Sequence, residues 1–335
     1  ALLDSFVIPH PVKTVMASPA EEETQSSLEE SIEAKIQEKL GTAGNGSAEN
    51  TNTVDTQDST VQNGGVTSGE NTVENTDATE QEDSSTATNA GTVIGSYSDS
   101  KSKITLKQYR AYDSTIYVAD VTVSDVSSLK TALADDTYGR NITELTSEIA
   151  SNHNAVLAIN GDYYGARQSG YVLRNGQIYR NSSGSREALA ILKNGDFQFV
   201  TEGEVSLDNL LQNGALQVFS FGPTLLKSGS IAVSENEEVG MAMASNPRTA
   251  IGRLGKNHYV FLVSDGRTEE SAGLSLYQLA SFMKTLGVSD AYNLDGGGSS
   301  TMIFQGKIIN NPTTNGHSIE ERAVSDILYI GGEKS

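Results

Sequence analysis

Between residues 18 and 95 the chain has no Phe, Trp or Tyr, and this gap confines any packed core to the residues that follow. A folded domain has to bury enough apolar surface to offset the entropy of ordering its backbone. A stretch dominated by Glu, Thr, Ser, Asn and Gly has too little to bury. The same stretch carries 16 Asp and Glu against 2 Lys, a net of −14 in a chain whose total is −20. Residues 1–17 are neutral, so residues 96–335 hold only the remaining −6. The sequence therefore divides into an N-terminal segment (1–17), an acidic low-complexity linker expected to be disordered (18–95) and one folded domain (96–335).

Within the linker, Leu28, Ile32, Ile36 and Leu40 recur every four residues and predict a short amphipathic helix over 27–40, of a length that is marginal in isolation. The chain begins Ala1-Leu2-Leu3, and the apolar segment up to Met16 carries Pro9 and Pro11. That pattern reads as the remainder of a processed leader or the flank of an upstream membrane anchor, with the linker as a stalk. The expected location is extracytoplasmic, at the cell surface or secreted from a bacterium. The absence of Cys fits an exported protein without disulfides and fits a cytosolic one equally. No run of 18 apolar residues occurs, and the acidic balance argues against nucleic acid, whose phosphates require clustered Lys and Arg.

The domain reads as alternating strands and a few helices. Residues 104–109 and 115–123 are β-branched and aromatic on either side of Ala111-Tyr112-Asp113-Ser114, which predicts a hairpin. Ile142, Leu145, Ile149 and Ala150 follow helical spacing behind Asn141 or Thr143 as cap and stop at Asn152-His153-Asn154. The run 155–159 is apolar throughout, as in a strand buried on both faces. It ends in Asn160-Gly161-Asp162-Tyr163-Tyr164-Gly165, either a ligand-binding strand end or a tight turn whose Tyr rings close the core. Asn175-Gly176 and Asn194-Gly195 mark two further hairpins, and residues 206–213 a short helix. A strand over 259–263 ends at Ser264-Asp265-Gly266-Arg267. A helix follows with Ser275 as cap, Leu276, Leu279, Ala280, Met283 and Leu286 on one face and Gly287 as stop, and the next strand delivers Asp295. This unit is long enough for a parallel crossover, which would put Asp265 and Asp295 at one edge of a sheet. Residues 301–304 and 307–309 form a hairpin about Gln305-Gly306, and 325–330 the last strand. The expected fold class is α+β, a mixed β-sheet with a β-α-β crossover and helices packed on it.

The densest chemical signal is Asn293-Leu294-Asp295-Gly296-Gly297-Gly298-Ser299-Ser300-Thr301-Met302. Consecutive glycines adopt φ > 0 cheaply and let backbone N–H groups converge on an anion, with the hydroxyls adding donors; the alternative is a Gly-rich turn joining two strands. Other motifs fail. The loop lacks the Gly-Lys-Ser/Thr of a P-loop, and Gly297-Gly298-Ser299-Ser300-Thr301 ends in Thr where a nucleophile elbow has Gly. His10, His153, His258 and His317 are scattered, and no zinc or EF-hand spacing occurs. A Ca²⁺ or other divalent-ion site built from distant carboxylates is left open, and no cofactor is called for.

Six ordered segments together resemble the phosphodiester glycosidase family: Asn160-Gly161-Asp162-Tyr163-Tyr164, Phe221-Gly222-Pro223, Pro247-Arg248-Thr249-Ala250-Ile251-Gly252, Ser264-Asp265-Gly266-Arg267, residues 293–301 and Glu321-Arg322-Ala323-Val324-Ser325. The likeness covers roughly residues 100 to 332. The family includes the lysosomal uncovering enzyme, which removes N-acetylglucosamine from a mannose-phosphate diester, and bacterial relatives linked to exopolysaccharide. The resemblance implies an α+β catalytic domain, a carbohydrate phosphodiester substrate, and hydrolysis between an anomeric carbon and a phosphodiester oxygen. Many relatives carry a small residue where Asp162 stands, so a shared catalytic role for it does not follow. The chain also lacks the cysteines of the animal enzyme.

A phosphate monoester leaves as a stable anion, so such a reaction depends less on a general acid than ordinary glycoside hydrolysis does. It needs cations and N–H donors for the phosphate and a carboxylate near the anomeric carbon. On the resemblance, Asp295 ranks first as base or nucleophile, Asp265 second and Asp162 third. Arg248 is expected to clamp the phosphate, with Gly296, Gly297, Gly298, Ser299 and Ser300 as a neutral donor pocket and Asn160, Gly222 and Thr224 among the binding residues. Arg322 is a second clamp, a partner that orients one of the carboxylates, or a structural ion pair with Glu321 or Asp326. A non-catalytic binding module for anionic cell-wall or capsule polysaccharide is the alternative reading, and a phosphoryl-transfer enzyme a weaker third.

Overall fold

In the computed structural model of the chain, residues 13–14, 90–237 and 245–332 are described. The rest of the N-terminal segment, the linker up to residue 89 and its 27–40 helix lie outside them. Three sheets form the body. The largest has eight strands in the spatial order Ser230–Ile231, Thr224–Lys227, Asp290–Asn293, Arg248–Gly255, His258–Ser264, Ser114–Val123, Ser102–Ala111 and Thr92–Ser98. A five-stranded sheet follows the order Lys307–Ile308, Met302–Phe304, Ala155–Asn160, Asp326–Gly331 and Leu129–Leu133. A third, also of five strands, runs Phe197–Thr201, Glu187–Leu192, Ala215–Phe219, Val172–Arg174 and Gln177–Arg180.

Side-chain alternation assigns these strands to layers. In the eight-stranded sheet Tyr259, Phe261 and Val263 face one core, while Val260 and Leu262 face another; Ile251 and Tyr292 join the first, Ala250 and Ala291 the second. A period of two with both faces apolar is what a strand between two packed layers requires. The first core is shared with Leu157, Ile159, Met302 and Leu328 of the second sheet and with Leu189, Ile191 and Phe219 of the third, so all three sheets close on one interior. The second core is covered by the helix Leu276–Thr285, whose Leu276, Leu279, Ala280 and Met283 are buried as their spacing predicts. Ser275 caps it through a bond from the Gln278 N–H, and Gly287 ends it at φ 82°.

The helices Thr146–Asn152 and Leu207–Gln212 cover the outer faces of the other two sheets. Helix Thr146–Asn152 starts later than Asn141 or Thr143 would place it. The chain first pairs with the last strand region, Glu144 N–H to Val324 O at 3.0 Å, and the Glu148 carboxylate then takes the Leu145 N–H. The hairpins at Asn175-Gly176 and Gln305-Gly306 both place their two turn residues at positive φ, and the 102–123 hairpin turns through Tyr112 and Asp113 at positive φ.

The expected mixed sheet is corrected. Every pairing within the three large sheets is antiparallel, and the fold is mostly strand with three short α-helices among the described residues. The crossover nevertheless exists. His258–Ser264 and Asp290–Asn293 both pair antiparallel to Arg248–Gly255, one on each side, and therefore run parallel to each other. Their C-terminal ends lie at one sheet edge, with the start of the Arg248–Gly255 strand between them.

Candidate active site

That edge gathers Asp265, Arg248 and Asp295. The segment after Asn293 keeps its pairing, Leu294 N–H to Thr249 O at 2.9 Å, and then turns away across the neighbouring sheet with Asp295 N–H on Gly161 O at 3.1 Å. Asn160 makes the junction. Its Nδ2 donates to the Asp295 carbonyl at 2.7 Å, while its Oδ1 accepts from Thr249 Oγ1 at 2.8 Å and from the Thr301 N–H at 3.3 Å. Asn160 thus ties the five-stranded sheet to the eight-stranded one directly beneath Asp295, as a positioning residue.

Asp295 is 8% exposed. Ser299 Oγ donates to its Oδ2 at 2.6 Å, and Arg322 Nη2 stands 3.4 Å from the same oxygen. Arg322 also donates to Ser299 Oγ at 2.7 Å and to the Gly296 carbonyl at 3.3 Å, so one guanidinium holds the carboxylate, its hydroxyl partner and the loop together. Arg322 stands with Asp295 and is not ion-paired with Glu321 or Asp326, which is held by Arg174. Glu321 turns elsewhere, accepting from the Ser147 N–H and hydroxyl. Burial raises the Asp295 pKa; the Ser299 bond, the Arg322 and Arg167 charges and the Gly296 N–H oppose it without cancelling it.

The other two carboxylates differ in kind. Asp265 is held at the same edge by the Asn311 N–H at 2.8 Å and Asn311 Nδ2 at 3.3 Å, with the Tyr117 hydroxyl as a further donor. Burial raises its pKa; burial of the Tyr117 phenol, together with the Asp265 charge and hydrogen bond, pushes that group up to about 12. Asp162 is buried in an ionic cluster: Arg174 Nη2 reaches Asp162 Oδ2 at 3.0 Å, Arg174 Nε reaches Asp326 Oδ2 at 2.7 Å, and the Ser220 N–H adds a bond to Asp162 at 3.1 Å. Asp162 thus shares one buried arginine with Asp326, and its Oδ1 is buried without a hydrogen-bond partner.

The glycine loop is not the open nest that its sequence suggests. Residues Gly297–Ser299 form a single 3₁₀ turn, and the N–H groups of Gly297, Ser299, Ser300 and Thr301 bond to Pro247 O, Gly296 O, Gly297 O and Asn160 Oδ1. The glycines serve close approach. A Cβ at Gly296 would lie 2.9 Å from Pro247 O, one at Gly297 would lie 2.9 Å from Arg267 Nη2, and one at Gly298 would lie 2.2 Å from Thr314 Oγ1. Arg267 is fixed by bonds to Asn246 Oδ1 and Thr314 O, and burial together with the Arg322 charge lowers its pKa.

Arg248, the expected clamp, is buried at the strand start with Nε on Leu274 O at 2.8 Å. Gly222, at φ 78°, accepts from Asn293 Nδ2 at 2.8 Å through its carbonyl, and the Thr224 N–H bonds to Glu187 Oε2 at 2.9 Å. Thr224 Oγ1, Asn293 Oδ1 and Ser300 Oγ are buried at these strand ends without a protein partner, polar capacity beside Asp295. Sequence reasoning missed Arg267, Arg167 and Arg186. Arg267 lay within a quoted motif, Arg167 follows the Tyr163-Tyr164 pair by three residues, and nothing local distinguishes Arg186. Among the described residues no group of three or more His, Asp or Glu side chains gathers as a metal set, and no helix is long and apolar enough to cross a membrane.

Residues 153–331 match the phosphodiester glycosidase family. Human N-acetylglucosamine-1-phosphodiester alpha-N-acetylglucosaminidase is 33% identical over 110 residues, 29% of this chain and 21% of that protein. The SPbeta prophage-derived uncharacterized protein YomE of Bacillus subtilis (strain 168) is 35% identical over 112 residues, 33% of this chain and 17% of that protein. The matched stretch thus spans about a fifth of these relatives' length. The catalytic domain of the zebrafish N-acetylglucosamine-1-phosphodiester alpha-N-acetylglucosaminidase, a solved structure, shares the fold at a TM-score of 0.55 and 24% identity, over 74% of this chain and 89% of that one. A hypothetical protein from Synechocystis does so at 0.51 and 15%, over 68% and 62%. The match from residue 153 to 331 takes in Asp295, Arg322, Asp265 and the loop that joins them, and the chain belongs to the phosphodiester glycosidase family.

Proposed function

We propose that this chain hydrolyses the bond between an anomeric sugar carbon and a phosphodiester oxygen on an extracytoplasmic glycan. The observation that carries the reading is Asp295: a buried carboxylate at a strand end, fixed through Oδ2 by Ser299 and Arg322, with Arg267 alongside the same loop. Arg322 and Arg267 supply the charge that a phosphodiester and its departing monoester require, and guanidinium groups match phosphate oxygens in pairs. Asp295 acts at the anomeric carbon, as base for water or as nucleophile. The C1–O bond breaks with its electron pair leaving on the phosphate, the water oxygen bonds to C1, and the water's proton passes to a carboxylate. Burial that raises the Asp295 pKa makes its carboxylate a stronger base than an exposed aspartate.

Incubation with a sugar-1-phosphodiester is expected to release reducing sugar and a phosphate monoester. Asp295→Asn should lower kcat by about 10²-fold or more while the protein stays folded, as loss of a positioned acid–base group does. Saturable binding without reducing sugar would favour the glycan-binding module, and release of inorganic phosphate would favour phosphoryl transfer.

A further inference from the structure

Asp295 has a second arginine pair beside it that the chemistry above does not use. Arg167 Nη1 donates to Ser220 O at 3.1 Å, and Arg186 Nη1 lies 3.5 Å from the next carbonyl, Phe221 O. Two guanidiniums are thus brought to adjacent backbone oxygens. Arg167 is also packed between rings, its Cζ 4.9 Å from the Phe221 centroid and 5.8 Å from that of Tyr163, which is 45% exposed. Among the described residues neither Arg167, Arg186 nor Arg267 has a carboxylate within ion-pairing distance.

Like charges held close together are unfavourable, and here they stand in a domain whose net charge is negative. Burial and the neighbouring Arg186 lower the Arg167 pKa against the opposing charges of Asp162 and Asp295, and burial and Arg322 lower that of Arg267. Arg322 and Arg167, one member of each pair, both act on the Asp295 carboxylate. The pairs themselves are separate, one on the 296–299 loop and the other on the 220–221 carbonyls.

One catalytic carboxylate with a cationic pair on each of two flanks fits a sugar that bears an anion at both of its attachment points. We infer that the substrate is a glycan whose successive units are joined by phosphodiesters, with the scissile phosphate at Arg322 and Arg267 and the next phosphate along the chain at Arg167 and Arg186. This rests on the phosphodiester glycosidase reading. A phosphodiester and a carboxylate both offer a guanidinium two oxygens; the phosphodiester is assigned because a glycan cleaved at one such linkage carries the same linkage at its next unit. The exposed Tyr163 ring beside Arg167 offers a face for the intervening sugar.

The test compares three synthetic substrates of the wild-type protein: a neutral sugar-1-phosphodiester, the same sugar with a second phosphodiester on a ring hydroxyl, and the same sugar with a carboxylate there. The doubly esterified sugar is expected to have a kcat/KM about tenfold above the neutral one, the effect of one charge-assisted contact. The advantage should shrink with added salt, and Arg186→Gln or Arg167→Gln should bring the ratio toward one. Equal cleavage of the neutral and doubly esterified sugars, an equal gain from the carboxylate, or a ratio unchanged in both variants would overturn the inference and leave the glycosidase reading standing. If no substrate is cleaved, that reading fails, and calorimetric binding of the same compounds decides the inference by itself. Tighter binding of the doubly esterified sugar, lost in Arg186→Gln, supports it; equal binding overturns it.

Discussion

Asp295, Asp265 and Asp162 look alike in sequence, each an aspartate one or two residues past a strand, yet their partners separate them. Asp295 has a hydroxyl and a half-exposed guanidinium on one oxygen; Asp265 is bound by Asn311 and Tyr117; Asp162 is locked to a buried arginine. The consequence is testable by pH. Activity that needs ionised Asp295 should fall as the pH drops through its raised pKa, so the acidic limb of the kcat/KM profile is expected above the ordinary aspartate value of 3.8. Ser299→Ala removes the largest contact that lowers that pKa and should move the limb to higher pH, with reduced rate. A limb that stays in place in this variant would mean that another group sets it. Arg322 carried three readings, and the distances set aside only the ion pair with Glu321 or Asp326. Arg186 was not legible at all, because its approach to Arg167 depends on two loops 19 residues apart meeting at the Ser220-Phe221 carbonyls.

At the scale of elements, a period or a turn residue located several elements. The helix Leu276–Thr285 with its Ser275 cap, the hairpins at Asn175-Gly176 and Gln305-Gly306 and the apolar strand Ala155–Asn160 all follow from such signals. The loop after Asp295 shows their limit. Three glycines indicated that the backbone is crowded or left-handed there, without saying whether a ligand or the protein does the crowding. It is the protein, through Pro247, Arg267 and Thr314. Gly297→Ala combines a left-handed φ of 58° with a Cβ 2.9 Å from the Arg267 guanidinium, and should lower activity by displacing that arginine. Gly306→Ala, at φ 75° with open space around it, should cost only the backbone strain, about 1 kcal/mol, and leave turnover unchanged. Equal losses of activity in the two would show that strain alone, and not the arginine, explains Gly297.

Across the whole molecule the sheets are joined by buried polar groups as well as by their common core. Asn160 bridges two sheets, and Arg174 of the third sheet binds Asp326 of the second together with Asp162. Arg174→Met leaves two carboxylates buried without their cation and is expected to destabilise the fold by about 3–5 kcal/mol, measured by denaturant unfolding. Burial pushes the Asp326 pKa up to about 7, with the Arg174 charge opposing and the Asp162 charge reinforcing the shift. A carboxyl whose folded pKa exceeds its unfolded value binds more protons when folded, so its contribution falls as pH rises from about 4 to about 7. Wild type should therefore lose Tm relative to Asp326→Asn over that interval, and a constant difference would show that Asp326 does not titrate there. The sequence alone determined where the core lies, several of its strands and helices and the family, because periodicity, turn chemistry and contiguous motifs are local properties of the chain. Only the tertiary structure decided that the sheets are antiparallel, that protein atoms crowd the glycine loop, and that Arg322 meets Asp295. Those outcomes depend on contacts between residues far apart in sequence, and no local pattern encodes them.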